Sequence, residues 1–161
     1  MKYLLNWWKG KWLGMNKKGV TLIELVVVMV IIAVAAGFII PNVGVWLPNY
    51  RLRSAARDIV STMRTAQMKA ISTNMTYQVS FTLPSSYILQ YQTTAGFVND
   101  GAVQNLPPGI TIPAITIGGN NAVFNPNSTS TSGSVTLQNN KGTQRRLTLT
   151  PSTGRVTITT P

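Results

Sequence analysis

From Val20 to Ile40 the chain carries an apolar run of 21 residues broken only by Thr21, Glu24 and Gly37, and Pro41 closes it. As a helix rising about 1.5 Å per residue the run reaches roughly 31 Å, the thickness of a bilayer's hydrocarbon layer, so the sequence predicts one membrane-spanning helix over 20–40. Lys17 and Lys18 stand immediately before it, and no comparable basic cluster follows before Trp46 and Tyr50. The positive-inside bias then puts the N-terminus in the cytoplasm and residues after about 41 outside, with the two aromatics near the outer interface.

Glu24 does not suit a bare anchor. A carboxylate near the start of a spanning helix costs about 2–3 kcal/mol and normally has a partner. No cation within the run can serve. A cut between Gly19 and Val20 would create an α-amino group one helical turn before Glu24, or offer it to the Glu24 of a neighbouring subunit, and the charge would be paired.

The remaining composition narrows the chemistry. There are 14 Lys and Arg against three acids, Glu24, Asp58 and Asp100, with no His and no Cys, giving a formal charge of +11 in 161 residues. Histidine switching, thiolate catalysis and zinc or iron–sulfur sites all need residues that are missing, and the three acids are too dispersed for paired acid–base work or a divalent ion. No catalytic residue, metal ligand or cofactor is expected. A Ser72–Lys69 arrangement is the only enzymatic alternative, and its spacing equally describes a helical surface. A chain beginning at Val20 would keep nine positive and three negative residues, net +6. Such a surface favours acidic partners such as DNA or anionic lipid, or is simply solvated.

The run Lys17-Lys18-Gly19-Val20-Thr21-Leu22-Ile23-Glu24-Leu25, with the apolar stretch and Pro41 at matching spacing, resembles the class III signal of type IV pilins and type II secretion pseudopilins. The resemblance implies that prepilin peptidase cleaves after Gly19, that Val20 becomes the methylated N-terminus, and that Glu24 guides docking into a fibre. Ala33-Val34-Ala35 offers a competing site of the ordinary secretory type, although Glu24 would then interrupt its apolar core. Residues 1–14, with Trp7, Trp8 and Trp12, are long for such a leader, and Met15 opens a more usual one; the start lies at Met1 or Met15.

Beyond the run, Pro41, Gly44 and Pro48 predict a kink or a locally melted stretch. Helical periodicity then resumes, with Leu52, Ala56, Ile59, Met63, Ala66 and Ala70 forming one apolar seam and Asn74 a natural end. Arg53, Arg57 and Arg64 fall within about 40° of one another and make a basic stripe, either solvated or facing lipid headgroups or an acidic subunit. After Asn74 the period becomes two. Tyr77, Val79, Phe81 and Leu83 alternate, as do Tyr87, Leu89 and Tyr91, predicting a hairpin, and further strands are expected near 110–117, 122–125, 134–139, 145–150 and 154–160, about seven in all. Residues 118–133 are low in complexity and are expected to contain exposed, mobile loops. The class is α+β: a long N-terminal helix, half membrane-spanning and half amphipathic, packed on an antiparallel β-rich region. The divisions are 1–19, a removed leader; 20–40, a transmembrane and assembly helix; 41–74, its kinked continuation; and 75–161, a β-rich periplasmic head.

Val123-Phe124-Asn125-Pro126, Gly133, Arg145 to Leu149 and Gly154 to Ile158 are similar to the C-terminal domain of the GspH/FimT group of minor pseudopilins. This implies a structural subunit of a type II secretion pseudopilus or type IV pilus, held in the bacterial inner membrane and partnered by other pilins or pseudopilins in a mixed fibre. Some FimT-like members bind DNA through a Gly-Arg-x-Arg motif. Here Gly154 and Arg155 match, but Thr157 stands where the second arginine belongs. The alternative reading is therefore a DNA-binding minor pilin for DNA uptake, using Lys141, Arg145, Arg146 and Arg155 as a salt-sensitive phosphate patch. No aromatic follows Phe124, so base stacking on that patch lacks support.

Overall fold

The computed structural model describes residues 19–161, without the side chains of 38–43 and 45. The expected leader therefore lies outside the described residues, apart from Gly19. The chain divides into two units, 1–41 and 42–161.

One helix, α1 (Leu22–Thr73), runs through both. It begins where Thr21 accepts hydrogen bonds from the Glu24 amide at its carbonyl, 3.1 Å, and at its hydroxyl, 3.3 Å, an N-cap that the Thr-x-x-Glu spacing favours. In the first unit every described side chain from 19 to 37 is exposed except half-buried Ala36. Among the described residues no helix is long and apolar enough to cross a membrane; the predicted 20–40 span runs into positions 38–40, whose side chains lie outside the description. The melted stretch is not formed, and the backbone stays helical through Pro41, Gly44 and Pro48. Gly37 and Gly44 stand four residues before the two prolines, so the carbonyls left without a donor belong to glycines, which have no side chain to resist their tilting.

In the second unit α1 supplies one wall of the core. The whole predicted seam is buried, Leu52, Ala56, Ile59, Met63, Ala66 and Ala70 each being no more than 1% exposed. The alanines let the helix lie close to its neighbours. α1 ends at Thr73 because Asn74 takes a left-handed φ of 54°, the usual way an Asn stops a helix.

Nine strands follow: β1 (Tyr77–Thr82), β2 (Ser86–Thr93), β3 (Gly96–Asn99), β4 (Gln104–Asn105), β5 (Ile110–Ile115), β6 (Asn121–Phe124), β7 (Gly133–Asn139), β8 (Gln144–Thr150) and β9 (Arg155–Thr159). They form a five-stranded sheet, β3-β2-β1-β6 with β4 also on β2, and a four-stranded sheet, β5-β7-β8-β9. All pairs are antiparallel. The inner faces of both sheets close on α1 in one core that includes Val79, Phe124, Val135, Leu137 and Leu147. The expected α+β class is thus the observed one.

Two expectations need correcting. About seven strands were predicted and nine form. β3 and β4 lack alternating apolar residues, all six of their residues being exposed, and they exist by hydrogen bonding to β2. The 118–133 segment is more than exposed loop. The strand expected near 122–125 forms there as β6, but the loops around it are tied down: the Asn125 amide donates to the Thr129 carbonyl at 2.9 Å and the Ser130 amide to the Pro151 carbonyl at 2.9 Å, with Ser130 buried.

Candidate functional site

The first region of interest is the start of α1. Gly19, Val20 and Thr21 precede the helix and are exposed, so the Gly19–Val20 bond sits in non-helical chain. Val20 is 71% and Leu22 82% exposed. Glu24 occupies the first turn of α1, where a negative charge is favoured by the helix dipole and a new α-amino charge disfavoured. A carboxylate and an amine created at Val20 would relieve one another. Among the described residues of this unit, no side chain covers the apolar surface around Glu24.

The second region lies along α1 in the head, where the four predicted basic residues do not form a single patch. Lys141 sits in the β7–β8 turn, shaped by Asn139, whose side-chain oxygen accepts from the Lys141 and Thr143 amides at 2.9 Å each. Arg145 shares the inner face of β8 with Leu147 and Leu149, while Arg146 is on the outer face and exposed. Arg155 is paired with Thr150 at the far end of the last hairpin from Arg146, which pairs with Thr159.

Instead the fold merges members of the strand patch with the helical stripe. Arg145 lines a depression with Arg53, Ala56, Arg57 and Ile158. Arg155 lines a second with Arg64, Gln67, Met68 and Val156. Both lie between the same flank of α1 and β9, so five arginines from two sequence groups border two neighbouring depressions along one side of the helix. Sequence reading found both groups but not their union, because no local pattern tells which edge of a sheet a helix flank meets. The hairpin is held to α1 by Gln67, whose amide donates to the Thr153 carbonyl at 2.8 Å. Gly154, at φ +60°, is needed there, since a Cβ would approach the Gln67 amide nitrogen to 2.5 Å.

The opposite flank of α1 differs. Asp58, Ser61, Thr62 and Thr65 face Tyr87, Leu89, Asp100, Gly101, Ala102 and Gln104 across an open pocket of about 410 Å³. Lys69 donates to Asp100 at 2.7 Å, and this hydrogen bond holds its ammonium above its ordinary value against a smaller opposing push from desolvation. A Ser–Lys catalytic pair needs the reverse, a lysine of lowered pKa, and the Ser72 hydroxyl donates to the Lys69 carbonyl at 3.2 Å. Burial pushes the Tyr87 hydroxyl up, partly offset by a hydrogen bond with Thr62. Among the described residues no cluster of three potential metal ligands occurs.

The family model described as Type II transport protein GspH matches residues 55–154, and the prokaryotic N-terminal methylation motif matches residues 14–40. No curated protein matches. The minor pseudopilin EpsH from the type 2 secretion system of Vibrio cholerae has a similar fold, with TM-score 0.61, 12% identity, and coverage of 69% of this chain and 98% of that one. The type IV minor pilin FimU of Pseudomonas aeruginosa is also similar, with TM-score 0.55, 14% identity, and coverage of 69% and 90%.

Proposed function

Because this chain belongs to the GspH family of type II transport proteins, we propose that it acts as a minor structural subunit of a pseudopilus or pilus, with assembly rather than catalysis as its work. One observation carries the reading. A methylation motif opens directly onto a helix whose described apolar side chains have no cover among the described residues of their unit, and a GspH head follows. An apolar helix of this kind is stable only in lipid or among other apolar helices.

In this account the chain is inserted in the inner membrane by residues 20–40, with the N-terminus cytoplasmic and the 75–161 head periplasmic. The stacked, exposed pair Trp46 and Tyr50, ring centroids 5.2 Å apart, suits the headgroup layer. Prepilin peptidase removes residues 1–19, and the Val20 amine is methylated. On transfer from lipid to fibre, α1 exchanges acyl chains for neighbouring helices, and Glu24 pairs with an N-terminal amine, fixing register. A carboxylate in an apolar bundle without that partner would cost several kcal/mol.

The test is Glu24→Ala. Membrane insertion should persist while incorporation into fibres, followed by shear fractionation, is lost; normal incorporation would overturn the register role. Sequencing the mature N-terminus should start at Val20 with a methylated amine, and mature protein retaining Trp7 or Trp8 would overturn the processing step.

A further inference from the structure

We propose that the arginine cleft between α1 and β9 is a docking groove for an extended acidic segment, with apolar anchors, of a different subunit in the same fibre. The source of that segment rests on the fibre-subunit reading; the groove does not.

Arg53 to Arg64 span about 16 Å of helix, and the five residues of β9, Arg155–Thr159, span about 16 Å of strand. The two run antiparallel, since Arg53 and Arg57 meet Ile158 while Arg64 meets Arg155 and Val156. Taken together as one groove, the two depressions are as long as an extended segment of roughly five residues. β9 is an edge strand, and an open edge beside a groove can pair with an added strand.

Chemistry selects the occupant. Five arginines border the groove and none of its lining residues is acidic; among the described residues the ion pair formed is Lys69–Asp100, on the other flank. The floor is not purely polar: Ala56, Ile158, Met68 and Val156 contribute to it, with Met68 63% exposed. Guanidinium rims over an aliphatic floor match a peptide that alternates carboxylates with apolar side chains, given that Arg and Met are enriched at protein interfaces. A nucleic acid would leave that floor unused, and no aromatic lines the groove to stack a base. A second copy of this chain does not fit either. Its second unit has two acids, Asp58 and Asp100, far apart in sequence, and Asp100 is engaged by Lys69.

The experiment uses the full chain in a nonionic detergent and a fluorescently labelled synthetic peptide alternating glutamate and valine, read by anisotropy. The peptide should bind, its lysine-for-glutamate counterpart should not, and the Arg57→Glu/Arg64→Glu double variant should weaken binding by roughly tenfold or more. Arg146→Glu changes charge on the outer face and should alter binding by less than about twofold. Arg53→Gln/Arg155→Gln is a second groove variant should the first fail to fold. Equal losses from groove and outer-face variants, no binding of the glutamate peptide, or tighter groove-dependent binding of a single-stranded oligothymidylate would each overturn the proposal. Glu24→Ala should retain peptide binding whatever its effect on fibre incorporation, which separates failure of the groove from failure of the fibre reading.

Discussion

Three residues in the head show how closely local geometry is prescribed. Gly133 has φ +139°, and a Cβ there would lie 2.9 Å from the Ile117 backbone; Gly154 would meet mainly the end of the Gln67 side chain. Backbone cannot withdraw as a side-chain amide can. Gly133→Ala should therefore cost about 2–4 kcal/mol and Gly154→Ala about 1–2 kcal/mol, measured by denaturant unfolding. Lys69 makes a different point. Its side chain is 41% exposed, so Lys69→Met should cost less than about 1 kcal/mol at neutral pH. Because the folded-state pKa is raised, that contribution is fully present below the unfolded value near 10.4 and lost as pH climbs through the folded value. Melting curves of wild type and Lys69→Met should converge in that alkaline window and stay parallel below it.

At the scale of elements, the head depends on one helix seam. Met63→Ala empties a fully buried site and should cost about 2–4 kcal/mol, whereas Met68→Ala, one turn along on an exposed flank, should stay within about 0.5 kcal/mol; thermal melts of the two variants decide. This seam was legible in the sequence because a 3.6-residue period survives any tertiary context. The β1–β2 hairpin was legible for the same reason at period two. β3 and β4 were not, since strands exposed on both faces have no periodic signature and are specified by the strand they extend. The arginine cleft was half legible. The stripe Arg53, Arg57, Arg64 follows from helical geometry, and Arg145 and Arg155 are visible as strand cations, but their meeting is a property of packing. Arg146, grouped with them by proximity in sequence, faces away because adjacent strand residues point to opposite sides.

Over the whole molecule, the described core belongs entirely to the second unit, its residues running from Leu52 to Val156. A chain shortened to begin at Asn42 should keep its far-UV circular dichroism and a single cooperative melt; loss of cooperativity would mean that the first unit contributes to folding. The two flanks of α1 differ in sign, with arginines on one and Asp58 and Asp100 on the other.

The arginine cleft also bears on copy number. A filament built from this chain alone would accumulate guanidinium groups at every step with no carboxylate-rich stretch to neutralise them. Growth by self-addition would thus be opposed by repulsion that rises with each copy. Interspersed singly among acidic neighbours, the same chain would relieve charge instead of concentrating it, which favours a sparse component over a repeating one.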